Sequence, residues 1–377
     1  MRIGFDGKRA VQNYTGLGNY SRYILEILSK YYPKNEYYIF APKQQKNKRL
    51  ERLLEEHSCL SMIWPHSILG KAFPSLWRSL GTHKLKISKI DLYHGLSNEL
   101  PMNIRKSGIP TIVTIHDLIF LRYPDCYPFF DRKIYSYKFH KACVNSDHII
   151  AVSECTKKDI IDYYNIPEDK ISVIYQGCDE SFTLPATDER KVGVQMKYHL
   201  PNRYILNVGR IEKRKNTLLI VKSMEKLPKD IHLVLVGQNT EYTKEIEKYI
   251  QTKGLQKRVT ILNNVPFADL PAIYQQAELF VYPSIYEGFG IPIIEALNSR
   301  IPVIAAANSC LEEAGGPSSI YVDANDVEAL TTSIIQILYS PNLRKQMIES
   351  GIDYAERFSE KLQAEKLIKL YQEISHQ

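Results

Sequence analysis

The chain has 377 residues, of which 44% are hydrophobic and 24% charged, with 49 Lys+Arg against 42 Asp+Glu. That length exceeds what one core usually supports and predicts two domains, and the composition is that of a soluble globular protein. No stretch approaches the roughly 20 apolar residues of a membrane span, and the opening MRIGFDGKRA lacks the apolar run of a signal peptide.

The net charge of +7 is uneven. Residues 1–185 hold 26 basic and 19 acidic side chains, whereas residues 186–377 hold 23 of each. A basic first half suits a membrane surface or a phosphate-bearing partner, and a solvated surface explains it equally. No nucleic-acid motif accompanies it. The six cysteines form no C-x-x-C pair, so neither a zinc site nor a disulfide framework is expected and a reducing cytoplasm is the default.

In chain order, apolar strand-like runs alternate with helical stretches. Strands are expected at 2–6, 37–41, 90–94, 111–115, 148–152 and 171–175, with helices over 18–31, 130–144 and 155–164. Their β-branched runs without polar alternation fit parallel strands covered on both faces. A polar stretch, 179–202, reads as a linker. The alternation then resumes, with strands at 204–208, 232–236, 259–262, 279–282 and 303–306. The matching helices are 216–226, 243–253, 268–276, 292–298 and 327–338. The tail 343–374 reads as helical, interrupted near Phe358–Ser359. Two α/β domains with doubly wound parallel sheets follow, Rossmann-like, facing one another across a cleft.

Two strand-to-helix segments carry the chemistry. In Val281-Tyr-Pro-Ser-Ile-Tyr-Glu-Gly-Phe-Gly-Ile-Pro-Ile-Ile-Glu-Ala296 a strand ends and a loop with Glu287, Gly288 and Gly290 follows. Pro292 then suits a first helical turn, and free N–H groups there make an anion seat. Glu295 lies eight residues beyond Glu287, so both carboxylates can border one pocket and accept sugar hydroxyls. In Val208-Gly-Arg-Ile-Glu-Lys-Arg-Lys-Asn216, Arg210 and Lys215 stand five apart around a turn. A planar fork and a point charge suit a diphosphate; of Lys213 and Arg214, at least one is expected to be merely solvated.

These segments, EGFGIPIIE and GRIEKRK, resemble the E-x7-E and G-R-x4-K segments of the family-four retaining glycosyltransferases of GT-B fold. The resemblance covers most of the chain. It implies domains at 1–185 and 186–355, acceptor-side and donor-binding respectively, and a helix at 356–377 returning to the first. It implies that Arg210 and Lys215 neutralise a donor diphosphate, with Gly209 in the same loop. Glu287 would meet the donor sugar beside Gly288 and the Phe289 and Gly290 amides, and Glu295 would hold the ribose. The backbone at Val265, and Gly237, would face the base.

In the first half, Gly16, Gly18 and Asn19 of the Tyr14–Tyr20 loop would lie over the phosphates, although a turn and helix entry explains the same residues. His116 would approach the transferred sugar, oriented by Asp117. With no D-x-D motif, neither metal nor cofactor is implied. The partners implied are a GDP- or UDP-linked sugar, mannose foremost, and a glycan or polyprenyl-diphosphate-linked acceptor. Peripheral membrane contact is expected through the basic half, including Phe73–Lys89. A nucleotide-sugar epimerase shares the architecture and is the alternative. Arg300, Glu312 and Glu360 depart from the family pattern, standing where Gly, Pro and Trp are common.

Overall fold

A computed structural model describes residues 1–80 and 82–376. The chain divides into two compact units, Met1–Gln176 with Glu360–Gln377, and Gly177–Ser359. The first boundary thus falls at Gln176, nine residues before the expected 185.

The first unit is built on seven parallel strands: β1 (Arg2–Asp6), β2 (Glu36–Phe40), β3 (Leu60–Ile63), β4 (Leu92–Gly95), β5 (Thr111–Ile115), β6 (His148–Ala151) and β7 (Ile171–Val173). Their order is β3-β2-β1-β4-β5-β6-β7. The direction of winding reverses between β1 and β4, which is where ligand crevices open in such sheets. β5 is buried at all five positions, as its unbroken TIVTI run requires.

The helix Glu360–Ser375 belongs to this unit although it lies at the other end of the sequence. Ala364, Leu367, Ile368, Leu370, Tyr371 and Ile374 share one buried core with Ile3, Phe5, Tyr20 and Ile24. Glu360, in place of the family's usual Trp, pairs with Lys30 at 2.8 Å.

The second unit holds six parallel strands: β8 (Tyr204–Val208), β9 (His232–Val236), β10 (Val259–Leu262), β11 (Leu279–Tyr282), β12 (Val303–Ala306) and β13 (Ile320–Val322). The order β10-β9-β8-β11-β12-β13 repeats the same winding. β3 and β13 are short edge strands that the sequence reading did not identify. Arg300 sits at φ 61, a left-handed position after the helix Ile291–Asn298, which is why glycine is the easier residue there. Glu312 accepts the Asn308 N–H at 2.7 Å.

Residues 179–202 are not a free linker. Within them lies the helix Asp188–Tyr198, opened by Thr187, whose side chain accepts from the Arg190 N–H. The helix is held by buried Asp269, which takes Lys197 Nζ at 2.7 Å, Tyr198 Oη at 2.6 Å and the Arg190 guanidinium. Phe182 is fully buried, edge-on to Phe267 and Tyr274 at 5.8 and 5.4 Å. The local sequence is polar, and its fold is dictated by partners some 70–90 residues away. Phe182→Ala should therefore destabilise the protein by about 3–5 kcal/mol in urea unfolding; an unchanged transition would mean that this ring carries no packing energy.

Candidate functional site

The order β10-β9-β8-β11 places the carboxyl ends of four neighbouring strands in one row. Val265, Gly237, Gly209 and the 283–290 loop follow those strands in turn. Backbone bonds step along the row, from Gly209 N to Val236 O at 2.9 Å and from Gly237 N to Leu262 O at 2.9 Å. A Cβ on Gly237 would lie 1.8 Å from Gly209 O. Only glycine permits that approach.

The loops after β8 and β11 are laced together. Ile285 N donates to Arg214 O at 2.9 Å. Asn216, left-handed at φ 56, donates to Pro283 O and Ala324 O at 3.2 and 2.7 Å. The Arg214 guanidinium reaches Tyr286 O and pairs with Glu212 at 2.7 Å and Glu287 at 2.9 Å. Lys215 Nζ stands 2.6 Å from the same Glu287 oxygen and donates to Tyr282 Oη at 2.7 Å. Burial alone would raise the Glu287 pKa, but the two cations outweigh it and hold the carboxyl at about 2.

Arg214 is thus not a solvated surface charge; the sequence reading passed over it as a role-bearing residue. No sequence signal separates it from Lys213; the fold alone brings it against the 283–290 loop. Arg210, by contrast, is exposed and makes no ion pair among the described residues.

The Glu287 loop is fixed from below. Cys310 Sγ lies 3.0 Å from both Glu287 O and Phe289 O. The Phe289 ring is buried against Phe358 at 5.5 Å. Gly290, at φ 136, precedes the helix Ile291–Asn298, with Pro292 in its first turn. Glu295 is buried inside that helix and accepts the Tyr274 hydroxyl at 2.8 Å. Burial pushes its pKa up to about 7, the Tyr274 hydroxyl offsetting part of the rise and the Asp179 charge adding to it.

In the first unit, Gly16 opens the helix Gly16–Tyr31 and is exposed to open space. Gly18 packs on the turn before it, since a Cβ there would lie 1.9 Å from Asn13 O. Asn19 is taken by the buried Arg22 at 2.7 Å. His116 follows β5 and is 9% exposed. Its Nε2 lies 2.8 Å from Leu96 O, and its backbone N–H donates to Asn98 Oδ1 at 2.7 Å. The next residue, Asp117, accepts from Ile119 N at 3.2 Å.

The same carboxyl edge carries a charged cluster that the sequence reading missed. Asp6 ends β1 and takes Arg78 Nε at 3.0 Å, while Arg78 Nη1 reaches Glu99 at 2.6 Å. Arg78 is therefore internal, and Lys84 lies 3.2 Å over the Trp77 ring, so neither adds to the basic surface of 73–89.

With this geometry, two family matches are decisive. Glycosyltransferase Family 4 matches residues 16–182, and Glycosyl transferases group 1 matches residues 197–354. The chain belongs to the family-four-type glycosyltransferases, with the GT-B fold. It is similar to O-antigen chain mannosyltransferase B of Escherichia coli, at 27% identity over 95% of this chain and 96% of that one. It is also similar to O-antigen chain mannosyltransferase RfbU of Salmonella typhimurium, at 30% identity over 61% of each. Among solved structures, a glycosyltransferase from Rickettsia africae superposes with a TM-score of 0.77, 22% identity and 99% and 98% coverage. Anabaena HepE in complex with UDP and glucose gives 0.78 at 17% identity, covering 99% of this chain and all of that one.

The raised Glu295 pKa has a definite sign. Between the ordinary carboxyl range and about pH 7 the folded glycosyltransferase keeps a proton that the unfolded chain has lost. Stability contributed by this group is present at low pH and lost as pH rises through that window. Unfolding of the protein and of Glu295→Gln, followed from pH 4.5 to 8, should show the stability difference shifting in the variant's favour toward pH 7 and then levelling. A difference independent of pH would mean that Glu295 titrates normally.

Proposed function

We propose that this glycosyltransferase transfers a hexose from a nucleotide sugar with retention of anomeric configuration and without a metal. The observation that carries the reading is the half-buried Lys215–Glu287–Arg214 group where the loops after β8 and β11 meet. An ammonium has three donors. Two of those on Lys215 serve Glu287 and Tyr282, leaving one for a diphosphate oxygen. Arg210, exposed in the same loop, supplies a second cation. The N–H groups opening the helix Ile291–Asn298 add the positive end of its dipole. In this reading the second unit binds the donor and the first takes the acceptor.

Glu287 accepts hydroxyls of the donor sugar alongside Gly288 and the Phe289 and Gly290 amides. Glu295 serves the ribose, and Val265 with Gly237 the base. Gly16 and Gly18 approach the phosphates, and His116 the transferred sugar. The bond from the anomeric carbon to the leaving phosphate oxygen breaks as the bond to the acceptor oxygen forms on the same face. The acceptor proton passes to the departing phosphate, whose charge the cations meet. Preorganised donors of this kind contribute roughly 3 kcal/mol each.

The mannosyltransferase relatives favour mannose from GDP-mannose, in building a cell-surface polysaccharide on a glycan or polyprenyl-diphosphate-linked acceptor in the cytoplasm. The UDP and glucose bound by the Anabaena protein keep a UDP-linked donor as the second reading. Glu287→Gln should lower transfer by at least about 100-fold, while GDP or UDP still raises the melting temperature of the variant. Full activity would remove Glu287 from the mechanism, and a new sugar isomer formed from donor alone would make the enzyme an epimerase.

The acceptor side supports contact with an anionic membrane. Phe73, Leu76, Leu80 and Ile87 are exposed beside exposed Lys71, Lys86 and Lys89. No helix among the described residues is long and apolar enough to cross a membrane. Sedimentation with phosphatidylglycerol vesicles should bind the enzyme at low salt and release most of it above about 0.3 M, where charges are screened within a few ångströms. Equal partitioning at both salts would remove the electrostatic contact.

A further inference from the structure

We infer that Tyr20, with Thr114, His94 and Tyr371 behind it, positions His116 and ties that position to the C-terminal helix. The inference rests on the reading of His116 as a sugar contact, and it gives Tyr20, Thr114, His94 and Tyr371 a role that the sequence analysis did not assign.

The Leu96 carbonyl can only accept a hydrogen bond, so His116 Nε2, at 2.8 Å, carries the proton. Nδ1 is then the lone-pair nitrogen, and the ring offers an acceptor to a hydroxyl. Asn98, left-handed at φ 62, fixes the backbone, accepting from His116 N at 2.7 Å and donating its own N–H to Thr114 O at 2.9 Å. The Tyr20 ring covers the imidazole edge-on, with centroids 4.5 Å apart and planes at 89°. Tyr20 stands one helical turn beyond Gly16, so one helix serves both the glycine loop and His116.

Tyr20 is in turn held from behind. Its hydroxyl lies 3.0 Å from Thr114 Oγ1, which lies 2.8 Å from His94 Nε2, and His94 Nδ1 lies 2.6 Å from Tyr371 Oη. All four side chains are at most 1% exposed. A buried polar chain of this length is stable only when its members are paired, and an apolar packing would be simpler. Its geometry instead carries order from the tail helix to the ring beside His116.

Burial holds His116 neutral, its pKa lowered to about 4, with the Leu96 bond opposing and Arg9 adding to the shift. The charged and titratable groups facing it are Arg9 from the helix Lys8–Gln12, His94 from β4, Tyr20 from the helix Gly16–Tyr31, and its neighbour Asp117.

The test uses the full-length protein with 15N-labelled histidine, followed by side-chain NMR against pH and by steady-state kinetics. The wild type should show the His116 Nε2–H tautomer, titrating near pH 4. In Tyr20→Leu the ring cover is lost, and the titration should move up by about one unit or more. kcat should fall about tenfold with donor KM little changed, since the acceptor atom is misplaced rather than the donor released. Tyr371→Phe should move both readouts in the same direction by less. Unchanged tautomer, titration and kcat in a folded Tyr20→Leu would overturn the inference. Should that variant fail to fold, unchanged readouts in Tyr20→Phe and Tyr371→Phe would overturn it equally. Loss of transfer in the wild type with every donor would sink the functional reading, while the titration still decides the positioning role.

Discussion

A carboxylate stripped of water persists as an anion only where cations stand against it, and Glu287 meets two. That requirement fixes the second unit's working edge. Arg214 and Lys215 must leave β8 at the height where the 283–290 loop leaves β11, and these strands are neighbours because the winding reverses there. Gly237 must be bare so that the Gly209 backbone can pass. Cys310 and Phe289 hold the loop from beneath. The charge cluster is therefore held by the fold around it.

The first unit solves a different problem with the same sheet. Its carboxyl edge holds a neutral histidine and a paired charge cluster, Asp6–Arg78–Glu99, instead of open cations. The two edges therefore differ in chemistry: one gathers Arg214 and Lys215 around Glu287, and the other carries a histidine bonded to the Leu96 carbonyl.

Much of this was legible in the residues. Short runs without regular polar alternation marked β5, β8 and β11 with correct bounds, because a strand buried on both faces has no reason to alternate. Glycines and prolines marked the loops. What was lost was non-local. β3 and β13 are edge strands of four and three residues whose partners supply the order. Residues 179–202 looked like a linker because Asp269 and Phe267, which hold them, lie far along the chain. Arg214 was indistinguishable from Lys213 in a basic run, since only the fold says which one turns toward Glu287. The burial that raises the Glu295 pKa, and the Tyr274 hydroxyl that opposes it, come from packing that no E-x7-E spacing reveals.

The C-terminal helix has a consequence for how the protein is made. Its apolar side chains complete the core around Ile3, Phe5 and Ile24, so a nascent polypeptide exposes that gap until residue 374 has cleared the ribosomal exit tunnel. The unit synthesised first must therefore be finished last, with the other one folding in the interval. Any chain that stops short of residue 360 leaves this apolar core of the first unit open to water.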